Sequence, residues 1–133
     1  MATYFGTSIN ESPTIVMEVG TEIKGAQGIA LMVDGGKVKA ATKGVVAIGL
    51  SLFTNDENIA VGDDVDIQVK DIGKWVASGT IAVGDLLASD ADGKAAKATE
   101  GDFVVATALS AAKASGDVIK VQIIKAGYLP AGK

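Results

Sequence analysis

Carboxylates carry most of the chemical potential of this chain. Asp63, Asp64 and Asp66 form its densest acidic cluster, and three carboxylates at such spacing can hold a hard cation or divide into an acid and a base. Asp90-Ala91-Asp92-Gly93 has the opening of a calcium loop. Counted from Asp90, however, the position that must supply a bidentate glutamate falls on Gly101. Both patterns also have a plainer reading. Asp-Gly between apolar runs is a hairpin signal. In Asp64-Val65-Asp66-Ile67-Gln68-Val69 the alternation puts Val65, Ile67 and Val69 on one face and the carboxylates of Asp64 and Asp66 on the other, with Asp63 in the preceding turn. Trp75 is the remaining candidate, as an exposed recognition aromatic or, in a chain poor in aromatics, as an interior or subunit-interface anchor. It is the interface candidate.

The absences narrow the chemistry further. The chain has no cysteine and no histidine, which removes thiolate and imidazole nucleophile pairs, disulfides and histidine-ligated zinc. All 12 basic residues are lysine and the net charge is −4. The arginine fork for phosphate is therefore missing, and nucleic acid is repelled overall. There is no Walker-type or Gly-x-Gly-x-x-Gly loop, and nothing in the spacing of lysines and carboxylates assembles a nucleophile, a base and an oxyanion site. The expectation is a protein that is not an enzyme, with no catalytic, cofactor-binding or metal-ligating residues and no cofactor. Val45 to Phe53, one of the longest uncharged apolar runs, falls well short of the ~20 residues that cross a bilayer, so no membrane partner is expected. The first residues lack a basic region followed by an apolar one, and the expectation is synthesis in the cytoplasm.

The elements that position these residues are short strands. Apolar residues make up 48% of the chain but aromatics only 5%, and 17 glycines stand against 2 prolines. Small branched side chains with frequent glycine suit strands joined by tight turns. Residues 1–13 show neither period and read as an extended arm closed by Pro13. A single domain follows over 14–125, with a hairpin turn at Asp34-Gly35-Gly36, an apolar run from Val45 to Leu52 read as a strand covered on both faces, and a turn of helix over 110–115. Residues 126–133 read as a tail. About nine or ten short strands imply an all-β sandwich or barrel.

Part of the chain occurs twice. Gly36-Lys37, Thr42-Lys43-Gly44, Ala47-Ile48-Gly49-Leu50-Ser51, Gly62-Asp63 and Val65 to Val69 are answered in order by Gly93-Lys94, Thr99-Glu100-Gly101, Ala106-Thr107-Ala108-Leu109-Ser110, Gly116-Asp117 and Ile119 to Ile123. Repeat units of about 29–70 and 86–125 follow from this order, with length changes confined to connections. A shorter string, Ile59-Ala60-Val61-Gly62-Asp63, recurs as Ile81-Ala82-Val83-Gly84-Asp85, each a Gly-Asp turn handing the chain to a strand.

With these motifs in place, the chain resembles the capsid decoration or cement proteins of tailed phages and prophages. The resemblance covers residues 14–124 and is carried by Gly25-Ala26-Gln27-Gly28, Ile81-Ala82-Val83-Gly84-Asp85-Leu86-Leu87, Asp90-Ala91-Asp92-Gly93-Lys94, Gly101-Asp102-Phe103-Val104 and Gly116-Asp117-Val118-Ile119-Lys120-Val121. It implies a structural virion protein without catalytic residues, bound as a homotrimer to the major capsid protein on the outer surface of the capsid and stabilising its lattice. The arm before Pro13 is similar in character to capsid-contacting arms of that family, which makes Tyr4, Phe5 and Ile9 the capsid-contact candidates. The alternatives are a glycan-binding or head-fibre module of the virion surface, which an exposed Trp75 would favour, and a small hydrolase-like enzyme.

Overall fold

A computed structural model describes residues 12–130. Within them the chain is all-β: β1 (Thr14–Glu18), β2 (Ile23–Lys24), β3 (Ala30–Asp34), β4 (Lys37–Ala40), β5 (Gly49–Ser51), β6 (Asn58–Ile59), β7 (Asp64–Gln68), β8 (Asp71–Val76), β9 (Leu86–Ser89), β10 (Ala95–Lys97), β11 (Phe103–Ala108) and β12 (Val118–Tyr128). Two five-stranded antiparallel sheets run in the orders β1-β7-β5-β3-β4 and β8-β12-β11-β9-β10, and β2 and β6 form a small ribbon. Of the two architectures left open by the sequence, each sheet takes the barrel. Its outer strands meet through one parallel bridge, Val19 to Val38 in the first sheet and Ala77 to Ala95 in the second, so the edges that an open sheet would leave unpaired are drawn together.

The two strand orders are the same order. Read β1, β3, β4, β5 and β7 as β8, β9, β10, β11 and β12, and the first sheet becomes the second. The connecting hydrogen bonds repeat with it: Val19 N–H to Asp63 O becomes Ala77 N–H to Asp117 O, Gly20 N–H to Val38 O becomes Ser78 N–H to Ala95 O, and Gly62 N–H to Val19 O becomes Gly116 N–H to Ala77 O. The duplication is therefore longer than its sequence trace, because each copy opens one strand earlier, at β1 and at β8. Register also corrects one match. Leu50 lies opposite Gln68, and Thr107 lies opposite Gln122, so the counterpart of Leu50 is Thr107 rather than Leu109.

Turn chemistry behaves as composition implied. Gly35 and Gly36, at φ 62° and 80°, supply the positive φ that a two-residue hairpin needs at both central positions. The Gly62 and Gly84 turns share a conformation, at φ 93° and 92°, with Asp63 N–H bonded to Ala60 O and Asp85 N–H to Ala82 O. By topology, though, the partner of Gly62 is Gly116.

Three other expectations are corrected. Residues 110–115 form bends without a helix. In the Val45 to Leu52 run only Gly49–Ser51 is strand and Val46 is half exposed, so the run is not covered on both faces. The tail read over 126–133 begins with strand, since β12 runs to Tyr128. Strand β12 passes a bulge at Lys125 (φ 43°) and pairs again, Gly127 with Val104 and Tyr128 with Phe103. Leu129 then exchanges backbone hydrogen bonds with Gly101 and Asp102 and packs on Ala88, Ala98 and Val104.

Each barrel has its own apolar interior. Val19, Ile23, Leu31, Val38, Val65 and Ile67 fill the first, while Trp75, Ala77, Leu87, Val105, Ile119 and Val121 fill the second. Ala30, Ala41, Ala47 and Leu50 of the first half belong to the second cluster, so the halves share a seam. Backbone bonds lace it: Ala30 N–H to Gly93 O at 2.7 Å, Val76 N–H to Gly28 O at 2.8 Å and Phe103 N–H to Gly44 O at 3.1 Å.

Asp102 is the charged group of this seam. It is 8% exposed, takes the N–H and hydroxyl of Thr99 at 2.9 Å each, and meets Lys43 Nζ at 3.3 Å. Burial pushes its carboxyl up, but the two Thr99 donors and the Lys43 ammonium outweigh burial and hold it below the ordinary aspartate value. A depressed folded-state value stabilises the fold above the unfolded-state titration and is lost as pH falls through the folded one. Stability should accordingly fall on acidification below about pH 4. Asp102→Asn should be less stable at pH 7 and lose less of its stability over that interval. Urea midpoints of both proteins at pH 7 and pH 3 check this, and parallel losses would count against it.

Candidate functional site

Outward-facing residues of β8 and β12 build the most developed surface feature, at the joint of the two halves. A groove of about 740 Å³ is lined by Leu52 and Phe53 after β5, Gln68 of β7, Ile72, Gly73 and Lys74 of β8, Ser110, and Val118 to Lys120 of β12. Alternation explains the lining. Trp75 and Ile119 point inward and are buried, which turns Ile72, Lys74, Val118 and Lys120 outward. Ile72 is 57% exposed, Val118 50% and Phe53 40%. The Phe53 ring lies over Gly28, where a Cβ would come within 2.5 Å of it. Gln68 fixes the lip by donating from Nε2 to the carbonyls of Lys70 and Ile72, both at 2.9 Å.

Electrostatically the groove is unusual for a chain of net charge −4. Lys74 and Lys120 are direct cross-strand partners, and among the described residues neither forms an ion pair. Like charges directly opposite on a strand pair are destabilising. A second, acidic hollow of about 370 Å³ lies on the far side of Thr54, lined by Asn55, Asp56, Asn58, Asp63, Asp64 and Asp66 among others. Asn55 braces it by exchanging two 2.9 Å hydrogen bonds with the Asp66 backbone. Among the described residues no three acidic side chains converge at the spacing a metal ion needs.

The structure disperses the residues singled out from sequence. Trp75, the interface candidate, is fully buried, and its Nε1–H donates to Gly93 O at 2.8 Å. It is an interior anchor of its own barrel, so neither a subunit interface nor a bound sugar reaches it in this fold. Asp90 is engaged in its own turn, with Oδ1 accepting the N–H groups of Asp92 and Lys94 at 2.8 Å each. Tyr4, Phe5 and Ile9 lie outside the described residues. The groove itself was missed by sequence reasoning, whose one available signal was that Ile72 and Val118 take the outward register of strands with buried opposite faces.

These features define a duplicated β scaffold with a groove at the joint of its halves. The fold is that of a phage head component: the N base of the head fibre gp8.5 of bacteriophage phi29 superposes with a TM-score of 0.64 over 89% of this chain and 98% of that one, at 16% identity. The model of the phage cement protein family matches residues 8–123, and the chain belongs to that family. It is a structural protein associated with the phage capsid. No curated protein sequence matches the chain.

Proposed function

We propose that this protein is a non-catalytic cement that binds the major capsid protein on the outer surface of the capsid as a homotrimer and stabilises the lattice after synthesis in the host cytoplasm. The family match over residues 8–123 carries this reading. The scaffold suits the role, since the outer strands of each sheet are drawn together by a bridge and Phe53, Ile72 and Val118 bring exposed apolar area into one groove. Tyr4, Phe5 and Ile9 are proposed as further capsid contacts from the arm. Heads that lack the protein, incubated with it and then heated, should rupture at a higher temperature than bare heads, and deletion of residues 2–12 should reduce that gain. Equal rupture temperatures would remove the cementing role. Sedimentation showing strict monomers, with no three-fold density on heads, would remove the trimer.

A second reading, the attachment base of a head fibre, is favoured by the fold shared with the phi29 fibre base. It would require a further chain or segment carried outward from this one. The glycan-binding alternative lacks the exposed Trp75 that would favour it.

A further inference from the structure

We infer that the groove over β8 and β12 is where the capsid is gripped, and that its occupant is a segment of the major capsid protein presenting apolar side chains beside a carboxylate; this rests on the cement reading above. Two observations specify that chemistry. Ile72, Val118 and Phe53 hold apolar area in water beside the joint of the two halves, and contiguous exposed apolar area on a soluble protein marks a contact surface. Lys74 and Lys120 face each other across the strand pair, and among the described residues neither forms an ion pair. An arriving carboxylate placed between the two ammonium groups turns that repulsion into two attractions as water leaves the groove, and charge complementarity of this kind fixes partner and register. The floor is prepared for it. Ile119 is buried beneath the groove, and a Cβ at Gly73 would come within 2.7 Å of the Gln68 side-chain amide, so glycine there leaves the lip in place.

The test uses expanded heads lacking the protein and titrates full-length chain onto them. Lys74→Glu with Lys120→Glu should raise the half-saturating concentration by about tenfold or more, the neutral pair Lys74→Gln with Lys120→Gln should fall between it and the wild type, and binding of the wild type should weaken with salt. Ile72→Asp provides an independent probe at a position already exposed. Circular dichroism and melting of each variant, expected to match the wild type, confirm that the fold is retained. If the wild type decorates heads and both the charge-reversed pair and Ile72→Asp decorate them equally well, the groove assignment falls while the cement reading stands. If the wild type fails to decorate heads at any concentration, both fall. A synthetic peptide of residues 1–12 that binds in this groove of a protein lacking those residues, with decoration unaffected by charge reversal, would make the chain's own arm the occupant and overturn the assignment.

Discussion

Trp75→Ala should remove a large part of the stability of the fold. The side chain is fully buried at the centre of the second barrel and is the largest in the core, and truncation of such an aromatic costs about 3–5 kcal/mol, against a total of about 5–15 kcal/mol for a domain of ordinary stability. A second loss adds to the cavity. Gly93 O accepts both Trp75 Nε1–H and the Ala30 N–H, so one carbonyl ties the second core to the first half, and truncation leaves it a single donor. Trp75→Phe keeps most of the volume and should cost considerably less. Urea denaturation followed by circular dichroism measures both, and a Trp75→Ala midpoint within error of the wild type would mean that the second core does not depend on this anchor.

Gly49→Ala is expected to damage the first half for a purely steric reason. Gly49 begins β5 where it crosses β7, and a Cβ there would run into the Gln68 carbonyl oxygen, with the Gln68 carbonyl carbon at 2.9 Å and Ile67 Cγ2 at 3.0 Å. The obstacle is strand backbone, which cannot rotate aside as a side chain can, so β5 and β7 must separate. Overpacking of this kind costs about 1–3 kcal/mol. Because Gln68 also forms the lip of the groove, the same substitution should weaken attachment to heads. Hydrogen exchange at Leu50 and Gln68, cross-strand partners in the β5–β7 pair, reports the separation directly, and unchanged protection at both amides would contradict it.

How far the fold was legible depended on where duplication had left a trace in residue types. The Gly-Lys and Gly-Asp turns persist in both copies because the backbone there needs positive φ, at Gly36 and Gly93 as at Gly62 and Gly116, and few other residues tolerate it. Strand interiors kept only polarity. Met17 and Trp75 occupy equivalent positions, opposite Val65 and Ile119, yet share no chemistry that a comparison of residues would detect. For this reason the opening strand of each copy was invisible although its hydrogen bonds are preserved. The end of β12 was hidden differently. Lys125, Ala126 and Gly127 break the alternation at a bulge, after which Tyr128 returns to pack edge-on against Phe103 at 5.6 Å. The groove was barely legible, since its walls come from four separated stretches and its character follows from which face of β8 and β12 the second core claims. Trp75 illustrates the same limit, because its residue type fits an exposed anchor and an interior one equally well until the register of β8 is known.

Image reconstruction of expanded heads before and after incubation with the protein tests the central claim most directly. The expected result is new density on the outer surface at local three-fold positions, resolving into three copies of the paired barrels with the Ile72 and Val118 groove turned toward the capsid. Heads whose outer surface stays bare at saturating protein would contradict it.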